Sequence, residues 1–268
     1  MNTARDLLVR GLLAGLLAGI AAFFVAYAVG EPSVGAAIAV EEAGDHAADG
    51  HGHAGTADDP AAPVAEDHAE HETVVPRSLQ STAGLATATV VAGVTLGGLV
   101  GVVSALALGR FGRLGARGTT LLVTGLGFLG TYAVPFLAYP PNPPAVGQPG
   151  SIGYRTALYF ILVAVSMIAG VTAVLVARRL APRWGAWYAT LACGAAYGVV
   201  MALTIALMPG YDEVPADFPA TVLFDFRQAS VLTQLSLWGV LGLVTAELAH
   251  RLTVRGRTAR RPAALVDA

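Results

Sequence analysis

The stretch GLLAGLLAGIAAFFV (residues 11–25) decides the fold, because it is a long apolar run with glycine at every fourth position. Gly11, Gly15 and Gly19 fall on one face of a helix, since residues four apart are neighbours on a helix surface. Inside a membrane, a face of glycines lets a second helix approach closely. We therefore predict a membrane-spanning helix that packs through its glycines against another span.

The rest of the chain has the same membrane character. Of its 268 residues 55% are hydrophobic and only 13% are charged, and the mean hydropathy is +0.63, whereas soluble domains carry about a quarter charged residues. A spanning helix needs about 20 mostly apolar residues. Six runs qualify: 7–29, 84–109, 119–138, 156–177, 186–208 and 230–249. The predicted fold class is an all-α integral membrane protein, a six-span helical bundle.

The basic residues predict the orientation. All 16 are arginine, and if all six segments span, 13 of them fall on one side of the membrane while 15 of the 18 acids fall on the other. Arginine near span ends marks the cytoplasmic side, so both termini are predicted to be cytoplasmic and the protein to be multi-pass in the cell's inner or plasma membrane. The alternative is that residues 1–28 are a signal peptide ending in AYA, which would leave five spans. The long apolar run favours a retained span.

These spans divide the chain into four parts. Residues 1–29 contain span 1, and residues 30–82 form an outside loop rich in histidine and acids. Within that loop, residues 43–72 have too little apolar surface to fold alone and are predicted to be disordered. Residues 83–250 form a five-span bundle with proline-rich outer loops at 139–155 and 209–229, and residues 251–268 are a basic cytoplasmic tail.

The histidines of the long loop are its clearest chemical signal, since it holds five of the six in the chain. Imidazole and carboxylate groups both bind divalent transition metals. The predicted metal-binding residues are His46, His51, His53, His68, His71, Asp45 and Asp49. A solvated linker without function is the other interpretation. No tightly bound cofactor is expected, because the metal would be the substrate.

Charged residues of the outer loops supply two further sets of candidates. Acids that would form an outer mouth are Glu31, Glu41, Glu42, Asp212, Glu213, Asp217 and Asp225. Three outer arginines, Arg77, Arg155 and Arg227, each stand just before a helix that runs inward, where the helix dipole disfavours a cation. Each therefore needs a partner: a carboxylate that clamps the loops, a lipid phosphate, or an anionic substrate.

The spans carry few groups for transport or catalysis. The third, fourth and fifth have no charged residue between their ends, so a pathway would use Ser, Thr, Gln, Tyr and backbone carbonyls, and the sequence does not identify its route. Glu247 and His250 either form an exit site or mark the end of the last helix. Since no ATP-binding loop, nucleophile elbow or zinc-protease motif occurs, the chain is predicted not to be an enzyme.

Several irregular strings resemble the CbtA family of cobalt transporter subunits. They are LLVRGLLAGLLAG (7–19), GEP with AIAVEE (30–42), VPRSLQSTAGL (75–85), YPPNPPAVG (139–147), IGYRTALY (152–159), EVPADFPATVL (213–223) and FRQAS (226–230). The resemblance implies cobalt uptake linked to cobalamin synthesis and a small single-span partner, CbtB, with a metal-binding tail. It also implies five spans, one fewer than the sequence predicts.

The leading hypothesis is a subunit of a transition-metal uptake system, with cobalt as the favoured metal, whose outer His/Asp/Glu loop gathers ions for a membrane pathway. One alternative is a non-conducting membrane accessory or scaffold protein that binds metal for a partner. Another is a transporter of an anionic cobalt complex or corrinoid. The predicted partners are a divalent metal ion, membrane lipid and a CbtB-like subunit, with no nucleic acid.

Overall fold

A computed structural model describes residues 3–49, 76–111, 114–144, 146–147, 149–211 and 213–259. Six helical segments of this part of the chain are long and apolar enough to cross a membrane, and three of these segments consist of two helices joined by a π turn. No strand occurs within the described residues. The all-α, six-span class is therefore confirmed. The helices are α1 (Thr3–Val25), α2 (Glu31–Asp49), α3 (Arg77–Leu79), α4 (Leu85–Ala107), α5 (Ala116–Phe128), α6 (Val134–Ala138), α7 (Ile152–Trp184), α8 (Ala186–Leu207) and α9 (Ala220–Ala259).

Three of the spans contain a π turn, in which the backbone hydrogen bonds skip one extra residue. The turns are Ala26–Gly30 between α1 and α2, Gln80–Gly84 between α3 and α4, and Leu129–Ala133 between α5 and α6. Two of them precede a proline, Pro32 or Pro135, which lacks an N–H and whose ring clashes with the carbonyl four residues earlier. For Pro135 that carbonyl belongs to Thr131, and it accepts a hydrogen bond from the Tyr159 hydroxyl at 2.7 Å.

Several predicted boundaries move outward. The helix that contains the first span does not end at residue 29, because α2 continues it to Asp49. Residues 43–49 are part of the segment predicted to be disordered, and they are helical. The alanines among them favour a helix. The last span begins at Ala220 and not at 230. Arg155 and Arg227 consequently lie inside α7 and α9, and Arg77 is the first residue of α3.

The glycine face of α1 packs as the sequence predicts, and its partner is α4. A β-carbon on Gly15 would lie 2.1 Å from the carbonyl oxygen of Gly93, and one on Gly11 would lie 2.2 Å from that of Gly97. The two backbones therefore touch. The antiparallel pairing continues past the π turns to a salt bridge between Glu31 and Arg77 at 2.6 Å.

Helix α9 packs against the other side of α1. Arg10 donates a hydrogen bond to the Leu248 carbonyl at 2.7 Å, and the alanines of α1 share a buried core with Leu237, Trp238 and Leu241. Helices α7 and α8 pack mainly against each other. α8 is the most exposed span, with Leu207 85% exposed, which suits a helix facing lipid.

The two ends of the bundle differ in chemistry. One end, called the proline end, carries the connections 139–151 and 208–219 and the Glu31–Arg77 salt bridge. The opposite end, called the arginine end, carries Arg10, Arg110, Arg117 and Arg251. The proline end holds a polar cavity with an aromatic lining.

Candidate functional site

A cavity of about 480 Å³ opens at the proline end between α6, α7, α9 and the two proline-rich connections. This is the size of a small-molecule site. Its wall is mostly aromatic and proline, with a few polar groups among them. The polar and aromatic lining consists of Tyr132, Phe136, Tyr139, Asn142, Arg155, Thr156, Tyr159, Tyr211, Ser230 and Gln234.

The mouth of the cavity is built around one ion pair. Arg155 Nη1 lies 3.1 Å from Glu213 Oε2, and the two side chains are only 23% and 9% exposed. The guanidinium carbon lies 6.0 Å from the centre of the Tyr211 ring, and that ring stacks on Tyr139 at 5.0 Å and 9°. These contacts hold the loop after α8 against the start of α7.

Gly147 allows this arrangement to close. Its φ is +139°, a conformation that L side chains rarely adopt. A β-carbon there would lie 2.9 Å from Arg155 Nη1 and 3.2 Å from Glu213 Oε2. Only glycine therefore fits beside the ion pair without displacing it.

The phenols at the mouth are neutral. Burial raises the pKa of Tyr139, and the neighbouring Tyr211 and Tyr154 raise it further. Burial also raises the pKa of Tyr211, although Arg155 acts in the opposite direction. The Tyr139 hydroxyl donates to the Pro209 carbonyl at 2.9 Å. At neutral pH the mouth presents neutral hydroxyl groups and no phenolate ligand.

Arg227 holds the other proline-rich connection. Its Nη2 donates to Asn142 Oδ1 at 3.1 Å, and its Nε donates to the Pro141 carbonyl at 3.4 Å. Deeper in the cavity, the Tyr132 hydroxyl and Ser230 Oγ are hydrogen-bonded at 3.1 Å. The cavity therefore descends from a clamped mouth to a polar wall formed by α5–α6 and α9.

Two of the three outer arginines have a carboxylate partner, which is one of the three alternatives. Arg77 and Arg155 form ion pairs with Glu31 and Glu213, both of which are among the predicted mouth acids. Arg227 instead binds the backbone and Asn142 of a proline-rich connection. Arg77 thus joins α3 to α2, whereas Arg155 and Arg227 contact the two proline-rich connections.

The expected mouth of carboxylates does not assemble in the described residues. Within them, no three of the His, Cys, Asp and Glu side chains come together as a metal site. Glu41 and Glu42 are exposed on α2, Asp217 is exposed in a turn, and Asp225 is exposed on α9. Asp212 lies outside the described residues. The carboxylate nearest the cavity, Glu213, is engaged by arginine.

The predicted histidine ligands fall mostly beyond the described part of the chain. His51, His53, His68 and His71 lie outside it, in 50–75. Asp45, His46 and Asp49 are in the last turns of α2, where only the backbone is described. Asp49 and Pro76 are the described residues on either side of 50–75. Asp49 ends the helix that begins at Glu31, and Pro76 directly precedes Arg77, so both lie on the side of the proline end.

Sequence reasoning missed the aromatic wall of the cavity, because it gave weight to charges. The available signal was the tyrosine beside proline in YPPNPP (139–144) and PGYDEVP (209–215). At the arginine end, Glu247 accepts hydrogen bonds from Arg117 at 2.7 Å and Arg251 at 2.8 Å. It therefore closes a surface ion-pair cluster.

A family model described as "Probable cobalt transporter subunit (CbtA)" matches residues 4–250. No curated protein and no solved structure matches the chain. The matched range covers all six membrane-crossing helices up to His250.

Proposed function

The chain belongs to the CbtA family of cobalt transporter subunits, and from that premise we propose that it admits divalent cobalt through the cavity at its proline end. As a family of transporter subunits, it belongs to a class that is usually not enzymatic. The arginine end faces the cytoplasm in this proposal, as the distribution of basic residues indicates. Cobalt then enters from the outside.

The position of the cavity carries the proposal. The cavity lies at the same end of the bundle as Pro76, the first described residue after 50–75, and that stretch of the sequence bears His51, His53, His68 and His71. Neutral imidazoles bind divalent cobalt, and they would raise its concentration beside the mouth. The oxygens of Asn142, Thr156, Ser230 and Gln234 can replace water around an ion that enters.

The experiment measures cobalt accumulation in cells that express the chain together with its single-span partner. Replacing the four histidines of 50–75 by glutamine is expected to lower uptake at limiting cobalt and to leave it nearly unchanged at saturating cobalt. The reason is that a tether changes the local concentration and not the route. The matched control is His250→Gln, which alters the histidine that lies outside the long loop, at the arginine end.

Uptake through neutral histidines has a defined pH dependence. Protonation abolishes imidazole as a ligand, so the contribution of the four histidines should weaken as the pH falls below about 6.5. The difference in uptake between wild type and the four-histidine variant should then shrink. A wild-type chain that accumulates no cobalt above empty cells under any condition contradicts the proposed function.

A second candidate substrate is an anionic cobalt complex or corrinoid. It is favoured by Arg155, which lines the cavity and whose Nε is buried without a hydrogen-bond partner among the described residues, while its Nη1 is paired with Glu213. The measurement is competition: excess corrinoid should suppress cobalt uptake if the complex is carried, and should leave it unchanged if the ion is carried.

An accessory role is distinguished by reconstitution. Vesicles that contain the purified chain alone should accumulate cobalt if the chain conducts. Vesicles that need a CbtB-like partner indicate a two-subunit pathway. A chain that binds cobalt but supports no flux with or without the partner is a metal-binding scaffold.

A further inference from the structure

Four hydroxyl groups in the half of the bundle nearer the arginine end are buried without a partner. Ser104, Thr119, Thr120 and Thr245 are each 0% exposed, and none of their hydroxyl oxygens has a hydrogen-bond partner within the described part of the chain. Threonines in spans usually donate to a carbonyl of their own helix. In this chain Thr89, Thr95, Thr124, Thr131, Thr204 and Thr233 do so.

The four exceptions lie at one level of the bundle. A small apolar cluster near the arginine end joins Leu108, the residue after the end of α4, with Ala116 of α5 and Ala249 of α9. One helical turn deeper from these three come Ser104, Thr120 and Thr245. We call Ser104, Thr119, Thr120 and Thr245 the hydroxyl layer.

Contacts between α5 and α9 connect this layer to the cavity. From the proline end, Tyr132 meets Ser230 at 3.1 Å, and a β-carbon on Gly127 would lie 2.7 Å from the Trp238 ring. Farther along, a β-carbon on Gly242 would lie 3.2 Å from Thr124 Cγ2.

The last contact in this series is Arg117 with Glu247, at 2.7 Å. Thr120 and Thr245 fall between the Thr124–Gly242 contact and this ion pair. They therefore face the line of contact between α5 and α9, which we call the α5–α9 seam. The cavity reaches this seam at Ser230 and Gln234.

Buried apolar side chains of α9 lie between the two polar regions. Leu237, Trp238 and Leu241 are 6%, 7% and 0% exposed and occupy the turns of α9 between Gln234 and Thr245. A buried hydroxyl without any partner is costly, so the four of the layer favour a ligand that their oxygen lone pairs can bind. Hydroxyl oxygens can replace water around a cation, as the oxygens of a channel filter do.

We propose that the cobalt route crosses the bundle along the α5–α9 seam, from the cavity past the Trp238 barrier to the hydroxyl layer. The inference rests on the proposed function, since it names the pathway of the same transport. Trp238 is the gate, and Thr120 and Thr245 are the residues that receive the ion beyond it.

The test uses Thr120→Val and Thr245→Val in the full-length chain, expressed with its partner. Valine keeps the shape and removes the hydroxyl. Initial uptake of cobalt chloride should fall about tenfold for each variant, because one lost ligand contact in a dry site changes an equilibrium by about that factor. The matched control is Thr204→Val, whose exposed hydroxyl on α8 is bonded to its own helix and lies away from the seam.

Thermal stability of the purified variants separates transport from structure. Removing an unpaired buried hydroxyl should leave the unfolding temperature equal or higher, so lower uptake with undiminished stability supports the route. If stability falls and uptake per folded molecule is unchanged, the layer has a structural role only and the proposal is overturned.

Uptake within twofold of wild type in the Thr120→Val/Thr245→Val double variant also overturns the route. Neither outcome touches the proposed function, which fails only if the wild-type chain takes up no cobalt.

Discussion

The bundle contains two interhelical seams of opposite construction. Between α1 and α4, glycine backbones touch, and no side chain separates Gly15 from Gly93. Between α5 and α9, side chains meet: an aromatic barrier at Trp238, hydroxyl groups on one side of it and a polar cavity on the other. A seam of touching backbones has no room for an ion and can move little, whereas a seam of side chains can open by rotamer changes. The difference suits the first seam to a scaffold and the second to the proposed route.

The largest effect is expected from a single methyl group in the glycine seam. Gly15→Ala places a β-carbon 2.1 Å from the Gly93 carbonyl oxygen, which is backbone and cannot rotate away. Separating the two helices should cost more than the roughly 1–3 kcal/mol of ordinary overpacking, so the yield of folded protein should collapse. Gly198→Ala on α8, where nothing lies within 4 Å, is the control and should be neutral. Equal yields by size-exclusion chromatography would contradict the scaffold role.

A smaller effect is expected from the same substitution in the second seam. Gly127→Ala places a β-carbon 2.7 Å from the Trp238 ring, but an indole can shift, so the protein should fold with a loss of about 1–3 kcal/mol. In a background with Trp184 and Trp187 replaced by phenylalanine, Trp238 is the one tryptophan left, and its fluorescence emission should change with Gly127→Ala.

The control for this change is Gly125→Ala, which meets nothing within 4 Å and should leave the Trp238 emission as it is. An unchanged spectrum in Gly127→Ala would show that the barrier does not pack against α5 as described.

The two ion pairs at the proline end should differ in how much stability is lost when each is broken. The more buried pair should cost more. Arg155→Gln leaves Glu213, only 9% exposed, without its cation, and should cost about 1–3 kcal/mol and lower cobalt uptake. Arg77→Gln breaks a more exposed pair, with Arg77 45% exposed, and should cost about 0–1 kcal/mol. Thermal unfolding of both variants checks the order. A reversed order would mean that the cavity mouth is not the tighter of the two clamps.

The smallest effect concerns the two stacked phenols of the mouth. Because burial raises the pKa of Tyr139 and Tyr211 above the usual 10 or so, both stay protonated in the folded protein while the unfolded chain begins to ionise. Stability should be complete below about pH 10 and should fall as the pH rises beyond it. The difference in phenolate absorbance between wild type and Tyr139→Phe/Tyr211→Phe measures this. Ionisation at an ordinary pKa would mean that the mouth is open to water.

The sequence predicts the first seam better than the second. Glycine spacing and apolar length suffice for α1, because a helix repeats every 3.6 residues and backbone contact needs only absent side chains. The α5–α9 seam depends on the register between two helices 100 residues apart, which no local pattern encodes. Thr120 and Thr245 resemble any other threonine in a span until their neighbours are known. The aromatic cavity was hidden for the same reason, since Tyr139 and Tyr211 come from different connections.

Each π turn also acts as a phase shift along its span. One extra residue in a helix turns everything beyond it by about 100°, so the turn at Leu129–Ala133 sets which way Phe136 and Tyr139 point independently of α5. The two halves of this span, α5 and α6, can therefore differ in rotation about the helix axis. The packing of α5 can stay as it is while the orientation of α6 changes. Deleting one residue from this turn should leave the α5–α9 contacts near Thr120 in place and rotate the aromatic wall out of the cavity. Such a chain would fold as a bundle and would lose the cavity at its proline end.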